Sequence, residues 1–206
     1  KPSEDGGFWE ARFVQREPHY IIVYLSSHTG CNKSCRFCHL TATKQTMMTP
    51  ATLDIYLEQA EQVLNYYRSL NREQTETIVN FNFMARGEPL ANPVVLYQSK
   101  ELFDKLSEKA IALNLKPQFM VSSIIPDDFP VQLEDIFSDE RATLYYSLYS
   151  TQDKFRKRWL PKSMDCYKSL DMIADFQKKT NRPIVLHWAF IKDQNDNTLE
   201  LDETMK

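Results

Sequence analysis

Five short runs of β-branched and aromatic residues alternate along the chain with segments whose apolar residues recur at helical spacing. Such alternation predicts parallel strands joined by right-handed helical crossovers, in a barrel, a partial barrel or a doubly wound sheet. In these folds the loops at the carboxyl ends of the strands meet at one rim and build the site. The predicted strands span 20–25, 77–84, 118–123, 143–149 and 183–191.

Helices are predicted in the segments between the strands. The Thr-Pro pair at 49–50 is typical of a helix start, and the apolar spacing after it extends to Leu70. The Asn-Pro pair at 92–93 opens a second long helix, which its apolar residues carry to Leu113. The remaining predicted helices cover 131–137 and 167–174, and another begins at Thr198.

The composition is that of a folded protein, with 42% hydrophobic and 12% aromatic residues in a chain of 206. This length suits one core, so we expect a core domain over 20–206 and a polar, irregular lead-in over 1–19. A net charge of -3 argues against a protein that coats nucleic acid through bulk charge. The sequence contains no apolar run of the roughly 20 residues that span a bilayer, so we expect a cytoplasmic protein without a membrane partner.

Three of the four cysteines, Cys31, Cys35 and Cys38, lie in the loop that follows the first predicted strand. Their C-x3-C-x2-C spacing makes a poor disulfide framework but places thiolates where they can hold a metal. Three thiolates are too few for a closed tetrahedral zinc site or a fully ligated cubane cluster. One metal position would therefore stay open, as it does at catalytic metal sites.

Several kinds of metal site compete for this loop. Structural zinc needs a fourth ligand, for which His39 is the nearest candidate. His39 directly follows Cys38, and neighbouring residues seldom fill two corners of one tetrahedron. Covalent haem would use the C-x-x-C-H match at 35–39 but leaves Cys31 without a role. The spacing, the aromatic Phe37 and the strand-loop-helix context favour a [4Fe-4S] cluster with one open iron.

A C-x3-C-x-aromatic-C loop after the first strand of a βα barrel is the signature of the radical S-adenosylmethionine (SAM) enzymes. The chain resembles these enzymes from about Tyr20 onwards and, among them, the RlmN and Cfr group of RNA adenine methyltransferases. A Ser-Ser-x-x-Gly-Cys approach at 26–31 and a Gly-Glu-Pro-Leu-x-Asn motif at 87–92 carry this resemblance. Further similar segments lie in the same order at 121–126, 147–149 and 193–196.

The resemblance implies an α/β fold, namely a partial (β/α)6 radical SAM barrel that is truncated before its last strand. It also implies a [4Fe-4S] cluster held by Cys31, Cys35 and Cys38, with SAM bound at the open iron. The residues that match SAM-contacting positions of the group are Gly87, Glu88, Ser122, Ser147, Tyr149 and Asn195.

The activity implied by the resemblance is reductive cleavage of SAM at the cluster, followed by modification of an RNA base. The implied partners are SAM, RNA, and an electron donor such as a flavodoxin or a ferredoxin. Two alternatives stay open at this point. One is a radical SAM enzyme acting on a small molecule or a protein, and the other is a SAM- or metal-binding protein without turnover.

One departure from the group concerns the resolving cysteine of its methylation route, which stands seven residues before the first cluster cysteine. Tyr24 occupies this catalytic position in the present sequence, and a phenol cannot act as a thiol. The group also carries the methyl group on a cysteine near its C-terminus, whereas no cysteine follows Cys166 here. We interpret Cys166 as a small thiol that is buried or partly exposed. The sequence therefore leaves methyl transfer by the group's route unsupported.

Overall fold

The computed structural model describes residues 2–71, 73–198 and 202. Within these residues, six strands form one sheet in the order in which they follow along the chain. The strands are β1 (Arg12–Glu17), β2 (Tyr20–Tyr24), β3 (Ile78–Asn82), β4 (Lys116–Ser123), β5 (Ala142–Ser147) and β6 (Val185–His187).

Strands β2 to β6 pair in parallel, each with its successor in the chain. A doubly wound sheet reverses its strand order at a switch point, whereas this sheet advances in one direction throughout the described residues. The strand order is therefore that of an open section of a βα barrel. This confirms the predicted α/β fold with a partial barrel.

Strand β1 is a feature that the sequence patterns did not reveal. The lead-in was expected to be irregular, but Arg12–Glu17 forms an antiparallel strand against β2, with Arg12 opposite Tyr24 and Val14 opposite Ile22. Its residues are exposed or half-buried, so no apolar alternation marks them as a strand. Backbone pairing with β2 determines this strand, and such pairing depends on the tertiary structure.

The helices lie in the predicted intervals, but their ends differ from the prediction. Thr52, not Thr49, caps the helix before β3, because the Thr52 hydroxyl accepts a hydrogen bond from Ile55 N at 3.3 Å. The Thr49 hydroxyl instead donates to Asp5 at 2.6 Å. The helices are α1 (His39–Ala42), α2 (Leu53–Ser69), α3 (Pro93–Tyr97), α4 (Ser99–Ile111), α5 (Leu133–Ile136), α6 (Asp153–Trp159) and α7 (Cys166–Thr180).

The single helix predicted from the Asn-Pro pair is two helices, because the backbone at Gln98 leaves the helical region with φ -133° and ψ 22°. The last strand is shorter than predicted and spans only Val185–His187. The helix predicted to begin at Thr198 falls almost wholly on residues outside the described set. Of the helices that the structure does describe, none combines the length and the apolar character needed to cross a bilayer.

The apolar core lies between the sheet and the helices. Alternate residues of β3 and β4, among them Phe81 and Phe119, are fully buried on the helix-facing side. Their rings stack at 5.6 Å, and Phe103 of α4 stacks on Phe119 at 4.4 Å. The opposite, concave face of the sheet carries more polar side chains, including Asn80 and Gln118. The loops at the carboxyl ends of the strands stand above this face.

Candidate functional site

The cysteine loop follows β2 and is held by backbone contacts. Cys31 N donates to Gln45 O at 3.0 Å, and Cys38 N donates to Cys35 O at 3.0 Å in a tight turn. Cys38 is also the N-cap residue of α1. A Cβ atom at Gly30 would collide with the backbone oxygens of Gln45 and Met47. Only glycine lets the returning chain pass this close to the start of the loop.

All three loop cysteines are free and half-buried. Burial raises the pKa of Cys31 from 9.0 to about 11. Burial raises the pKa of Cys35 by more than it raises that of Cys31. Both thiols therefore keep their protons at neutral pH unless a cation displaces them. A metal would supply that positive charge.

The cysteine thiols face a cavity of about 430 Å³ at the carboxyl ends of the strands. We call it the rim cavity. Loops after β3, β4 and β5 complete its lining, as expected for a site at the strand ends of a parallel sheet. The predicted site residues that line it are Cys31, Cys35, Cys38, Gly87, Glu88, Ser122, Ser147 and Tyr149.

Gly87 allows the loop after β3 to pack against the loop after β2. Its φ of +88° favours glycine, and a Cβ atom there would lie 2.7 Å from both His28 Nδ1 and Ser27 Oγ. Ser27 N donates to Arg86 O at 2.8 Å across the same contact. The two motifs that carried the sequence resemblance are therefore in direct contact.

Glu88 is a carboxylate on the rim cavity with only 5% of its surface exposed. Its oxygens accept hydrogen bonds from Leu90 N at 3.0 Å and from Ile124 N at 3.3 Å. Burial raises the pKa of Glu88 from 4.5 to about 7, although these hydrogen bonds oppose the shift. The group can therefore exchange a proton near neutral pH, and a nearby cation would favour its charged form.

Tyr149 occupies the left-handed region of the backbone, with φ 58°. Its ring centroid lies 4.9 Å from that of Phe37 in the cysteine loop. Asn195 holds this conformation, because its Nδ2 donates to Tyr149 O at 2.7 Å while its Oδ1 accepts from Ile191 N at 2.7 Å. Asn195 is fully buried and is not among the residues that line the rim cavity. The structure gives it a positioning contact, and a direct contact with SAM stays a prediction.

Charged residues that the motif analysis did not select also line the rim cavity. Lys33, between two of the cysteines, is 4% exposed and forms an ion pair with Asp128 at 2.7 Å. This pair ties the cysteine loop to the loop after β4. Its position inside the C-x3-C segment was the available signal, since a residue between two cysteines of one loop lies close to both of them.

Glu10 joins two arginines at the edge of the rim cavity. Arg12 Nε lies 2.9 Å from Glu10 Oε1, and Arg86 Nη1 lies 4.0 Å from Glu10 Oε2. Arg86 also donates to Thr29 O at 2.8 Å and lies over the ring of Phe8 at 4.0 Å. The sequence offered little signal for this cluster, because β1 brings Glu10 and Arg12 to the rim only through strand pairing.

The sequence of the chain is similar to those of several bacterial proteins. No protein-family model matches the sequence. A protein of Natranaerobius thermophilus named "Probable dual-specificity RNA methyltransferase RlmN" is 29% identical over 192 residues, which cover 89% of this chain and 50% of that protein. Proteins of the same name from Clostridium botulinum and Aquifex aeolicus are 28% and 26% identical and cover 96% and 99% of this chain. The chain is similar in sequence to these RlmN proteins.

The chain spans about half the length of these RlmN relatives. A solved structure described as a radical SAM methyltransferase from Sphaerobacter thermophilus superimposes with a TM-score of 0.72 at 19% identity. The match covers 98% of this chain and 57% of that protein. It shows that the two proteins share a fold.

Tyr24 does not line the rim cavity. It lies at the end of β2 opposite Asn82 of β3, with the Arg12 guanidinium 4.9 Å above its ring. Its side chain lines a second cavity on the concave face of the sheet. The geometry therefore gives the phenol no contact with the cysteine loop, and its catalytic assignment stays a prediction.

Cys166 lies away from the rim cavity, at the first position of α7. It is 1% exposed, and its Sγ lies 3.9 Å from Ser150 O. Burial raises the pKa of its thiol. These properties describe an inert core thiol, as the sequence interpretation expected.

Proposed function

We propose that the chain is a radical SAM enzyme that binds a [4Fe-4S] cluster and SAM in the rim cavity and modifies an RNA base. The observation that carries the proposal is the convergence of Cys31, Cys35 and Cys38 with Gly87 and Glu88 on one cavity. The similar proteins are named as probable RNA methyltransferases, which supports the same class of substrate.

The number and spacing of the thiols suit a cluster. Three thiolates leave one corner of a tetrahedral zinc site unfilled, whereas the thiolates of a cubane cluster bind different irons and can leave one iron open. Cys31, Cys35 and Cys38 would therefore each hold one iron.

Glu88 is suited to hold the cationic part of SAM. The ammonium and sulfonium groups of SAM call for acceptors, and Glu88 presents a buried carboxylate to the rim cavity. Because a nearby cation stabilises a carboxylate, SAM should lower the pKa of Glu88 below its value of about 7. Ser122 and the Gly87 backbone offer further hydrogen-bonding groups at the same cavity.

The chain's part in the reaction is to orient the ligands and to exclude water. A [4Fe-4S] cluster held by the three cysteines would supply the electron for reductive cleavage of SAM. Phe37 and Tyr149 place aromatic surface on the cavity lining, which shields a radical reaction from solvent. Phe37 is also 42% exposed, so the cysteine loop is accessible to a cytoplasmic electron donor such as a flavodoxin or a ferredoxin.

Position 24 bears on the second half of the reaction, which in the two-cysteine route needs a resolving thiol there. Tyr24 stands where that route needs a thiol, and Cys166 is buried in the core. The described residues therefore offer no pair of thiols beside the rim cavity other than the proposed cluster ligands. We propose base modification that starts at the cluster and does not proceed through these two positions.

Anaerobic reconstitution with iron and sulfide tests the cluster assignment. We expect about four irons per chain and a large loss of iron in Cys35→Ala. Cys166→Ala is the matched control, because it removes a thiol that does not face the rim cavity. An unchanged iron content in Cys35→Ala, or stoichiometric zinc in a colourless protein, would contradict the assignment.

Release of 5′-deoxyadenosine from SAM in the presence of a reductant tests the enzymatic proposal. The reconstituted chain should release it, and Glu88→Gln should weaken SAM binding in calorimetric titrations. Glu101→Gln is the matched control, because Glu101 lies exposed on α4. If SAM affinity were the same in both variants, Glu88 would have no part in the SAM site.

A further inference from the structure

Lys33 carries a buried positive charge between Cys31 and Cys35. The residue is 4% exposed, and it lines the rim cavity. Its backbone N–H forms a hydrogen bond with the Cys31 thiol, which fixes the lysine beside the cysteines. A buried ammonium group is costly unless its charge is paired and its N–H donors find acceptors. The position of Lys33 therefore calls for an anionic partner.

Asp128 meets this requirement only in part. Lys33 Nζ donates to Asp128 Oδ1 at 2.7 Å, and this carboxylate is the hydrogen-bond partner that the described residues give the ammonium group. An ammonium group has three N–H donors, so two of them remain for another acceptor. The Asp128 side chain is 72% exposed, so water weakens its attraction for the lysine. An anion inside the rim cavity would supply the remaining acceptor.

Two arginines also line the rim cavity, but they already have acceptors. Arg12 is half-exposed and lies 2.9 Å from Glu10. Arg86 donates through Nε and Nη2 to Thr29 O at 3.0 and 2.8 Å, and its Nη1 lies 4.0 Å from Glu10. Lys33 differs from both arginines because its ammonium group is buried and retains donors for a ligand.

A buried charge of the opposite sign lies in the same cavity. Glu88 is 5% exposed, and among the described residues Lys33 forms its ion pair with Asp128 and not with Glu88. The two charges nevertheless act on each other, since burial raises the pKa of Glu88 and the charge of Lys33 opposes that rise. The rim cavity therefore presents a cation and an anion that are close together and unpaired. Such an arrangement suits the two ends of a zwitterion.

The amino-acid end of SAM is a zwitterion, with an ammonium group and a carboxylate on one carbon atom. The proposed function assigns the cationic part of SAM to Glu88 and leaves the carboxylate without a partner. Lys33 offers this carboxylate the opposite charge and two N–H donors. Hydrogen bonds between ionised groups are stronger than those between neutral groups, so the contact would add affinity as well as orientation.

We propose that Lys33 binds the carboxylate of SAM, so that Lys33 and Glu88 together select a ligand with a zwitterionic end. This inference rests on the proposed function, because it takes SAM as the ligand of the rim cavity. It gives Lys33 a binding role in addition to its contact with Asp128.

Anaerobic equilibrium dialysis of the reconstituted chain with SAM and with decarboxylated SAM tests the inference. Decarboxylated SAM keeps the ammonium and sulfonium groups and lacks only the carboxylate. Lys33→Met removes the charge and keeps a side chain of similar length. The affinity for SAM should fall at least about tenfold in this variant, because a lost hydrogen bond between charged groups has this size. The affinity for decarboxylated SAM should stay the same or rise, because the variant removes a repelling positive charge.

Further variants separate ligand binding from a structural role. Asp128→Asn removes the ion-pair partner and leaves the ammonium group, so it should keep the preference for SAM over decarboxylated SAM. Lys154→Met, on the exposed surface of α6, controls for the loss of a positive charge. Lys33→Gln keeps a polar group at the buried position and should lose SAM affinity as Lys33→Met does. Iron content and urea unfolding show that each variant holds its cluster and is folded.

Equal losses of affinity for SAM and for decarboxylated SAM in Lys33→Met would overturn the inference. The same loss of preference in Asp128→Asn would overturn it as well, because Lys33 would then act by holding the loop. A loss of iron in both Lys33 variants would assign the lysine to the cluster instead of to SAM.

The outcome is separable from that of the proposed function. Release of 5′-deoxyadenosine by the wild-type chain, together with an unchanged SAM affinity in Lys33→Met, refutes the Lys33 assignment alone. A wild-type chain that binds no SAM refutes both.

Discussion

Replacement of Glu88 by glutamine removes one buried negative charge and keeps the shape of the side chain. The glutamine oxygen can still accept from Leu90 N, which donates to Glu88 at 3.0 Å. Burial raises the pKa of Glu88 from 4.5, the value expected in the unfolded chain, to about 7. The variant therefore isolates the cost of ionising a carboxyl group at this position.

The sign of the effect follows from proton linkage. Between pH 4.5 and about 7, the native Glu88 keeps a proton that the unfolded chain has released. Stability from this group is present below pH 4.5 and is lost as the pH rises through about 7. At about 1.4 kcal/mol for each pKa unit, the full loss is about 3 kcal/mol. Glu88→Gln has no such proton, so its stability should not show this loss.

Urea unfolding of the wild type and of Glu88→Gln at several pH values from 4.5 to 8 measures the effect. The difference in the free energy of unfolding should shift in favour of the variant by about 3 kcal/mol across this range. The amide can also add a constant offset, so the slope with pH is the decisive quantity. Glu101→Gln, on the exposed surface of α4, controls for the loss of a surface charge. Parallel pH profiles for the wild type and Glu88→Gln would refute the reasoning.

Three further predictions concern the same region and the core. Gly30→Ala should lower the free energy of unfolding by about 1–3 kcal/mol, because the added Cβ atom collides with backbone oxygens. In the control Gly6→Ala the Cβ atom meets no atom within 4 Å, so the free energy of unfolding should fall only by the roughly 1 kcal/mol that a positive φ costs alanine. Equal urea midpoints for the two variants would contradict this prediction. Burial lowers the pKa of His28 from 6.5 to about 4, so the unfolded chain gains a proton first and stability falls as the pH drops through this window. His28→Gln should abolish that acid-side loss of up to about 3 kcal/mol, and an unchanged acid limb in urea unfolding would disprove it. Cys166→Ala should keep the wild-type iron content and lower stability by about 1 kcal/mol, and a loss of iron would give Cys166 a role that its burial does not suggest.

Much of the fold was predictable because parallel strands buried on both sides carry a strong local signal. The run predicted as 77–84 contains β3 at Ile78–Asn82, and the run at 20–25 contains β2 at Tyr20–Tyr24. β1 was missed, because its residues have no apolar alternation and only its hydrogen bonds to β2 make it a strand. The break at Gln98 was also missed, since the apolar spacing continues through it.

The candidate site was predictable where it consists of motifs at strand ends. The cysteines, Gly87 and Glu88 were found because short spacings bring their side chains into one loop each, and parallel strands bring those loops to one rim. The Glu10 contact with Arg86 was not found, because it joins segments far apart in the sequence. Asn195 was selected by motif, but the structure shows its side chain engaged with Tyr149 and Ile191.

The sequence by itself determined the alternation of strands and helices and the three thiols that follow Gly30, because hydrophobic period and residue chemistry are local properties. The tertiary structure alone decided which face of the sheet each polar residue occupies and which charges meet across the rim. It placed Asn80 and Asn82 on the concave face of the sheet, outside the lining of the rim cavity. These features depend on strand pairing and side-chain burial, which arise only when distant segments pack together.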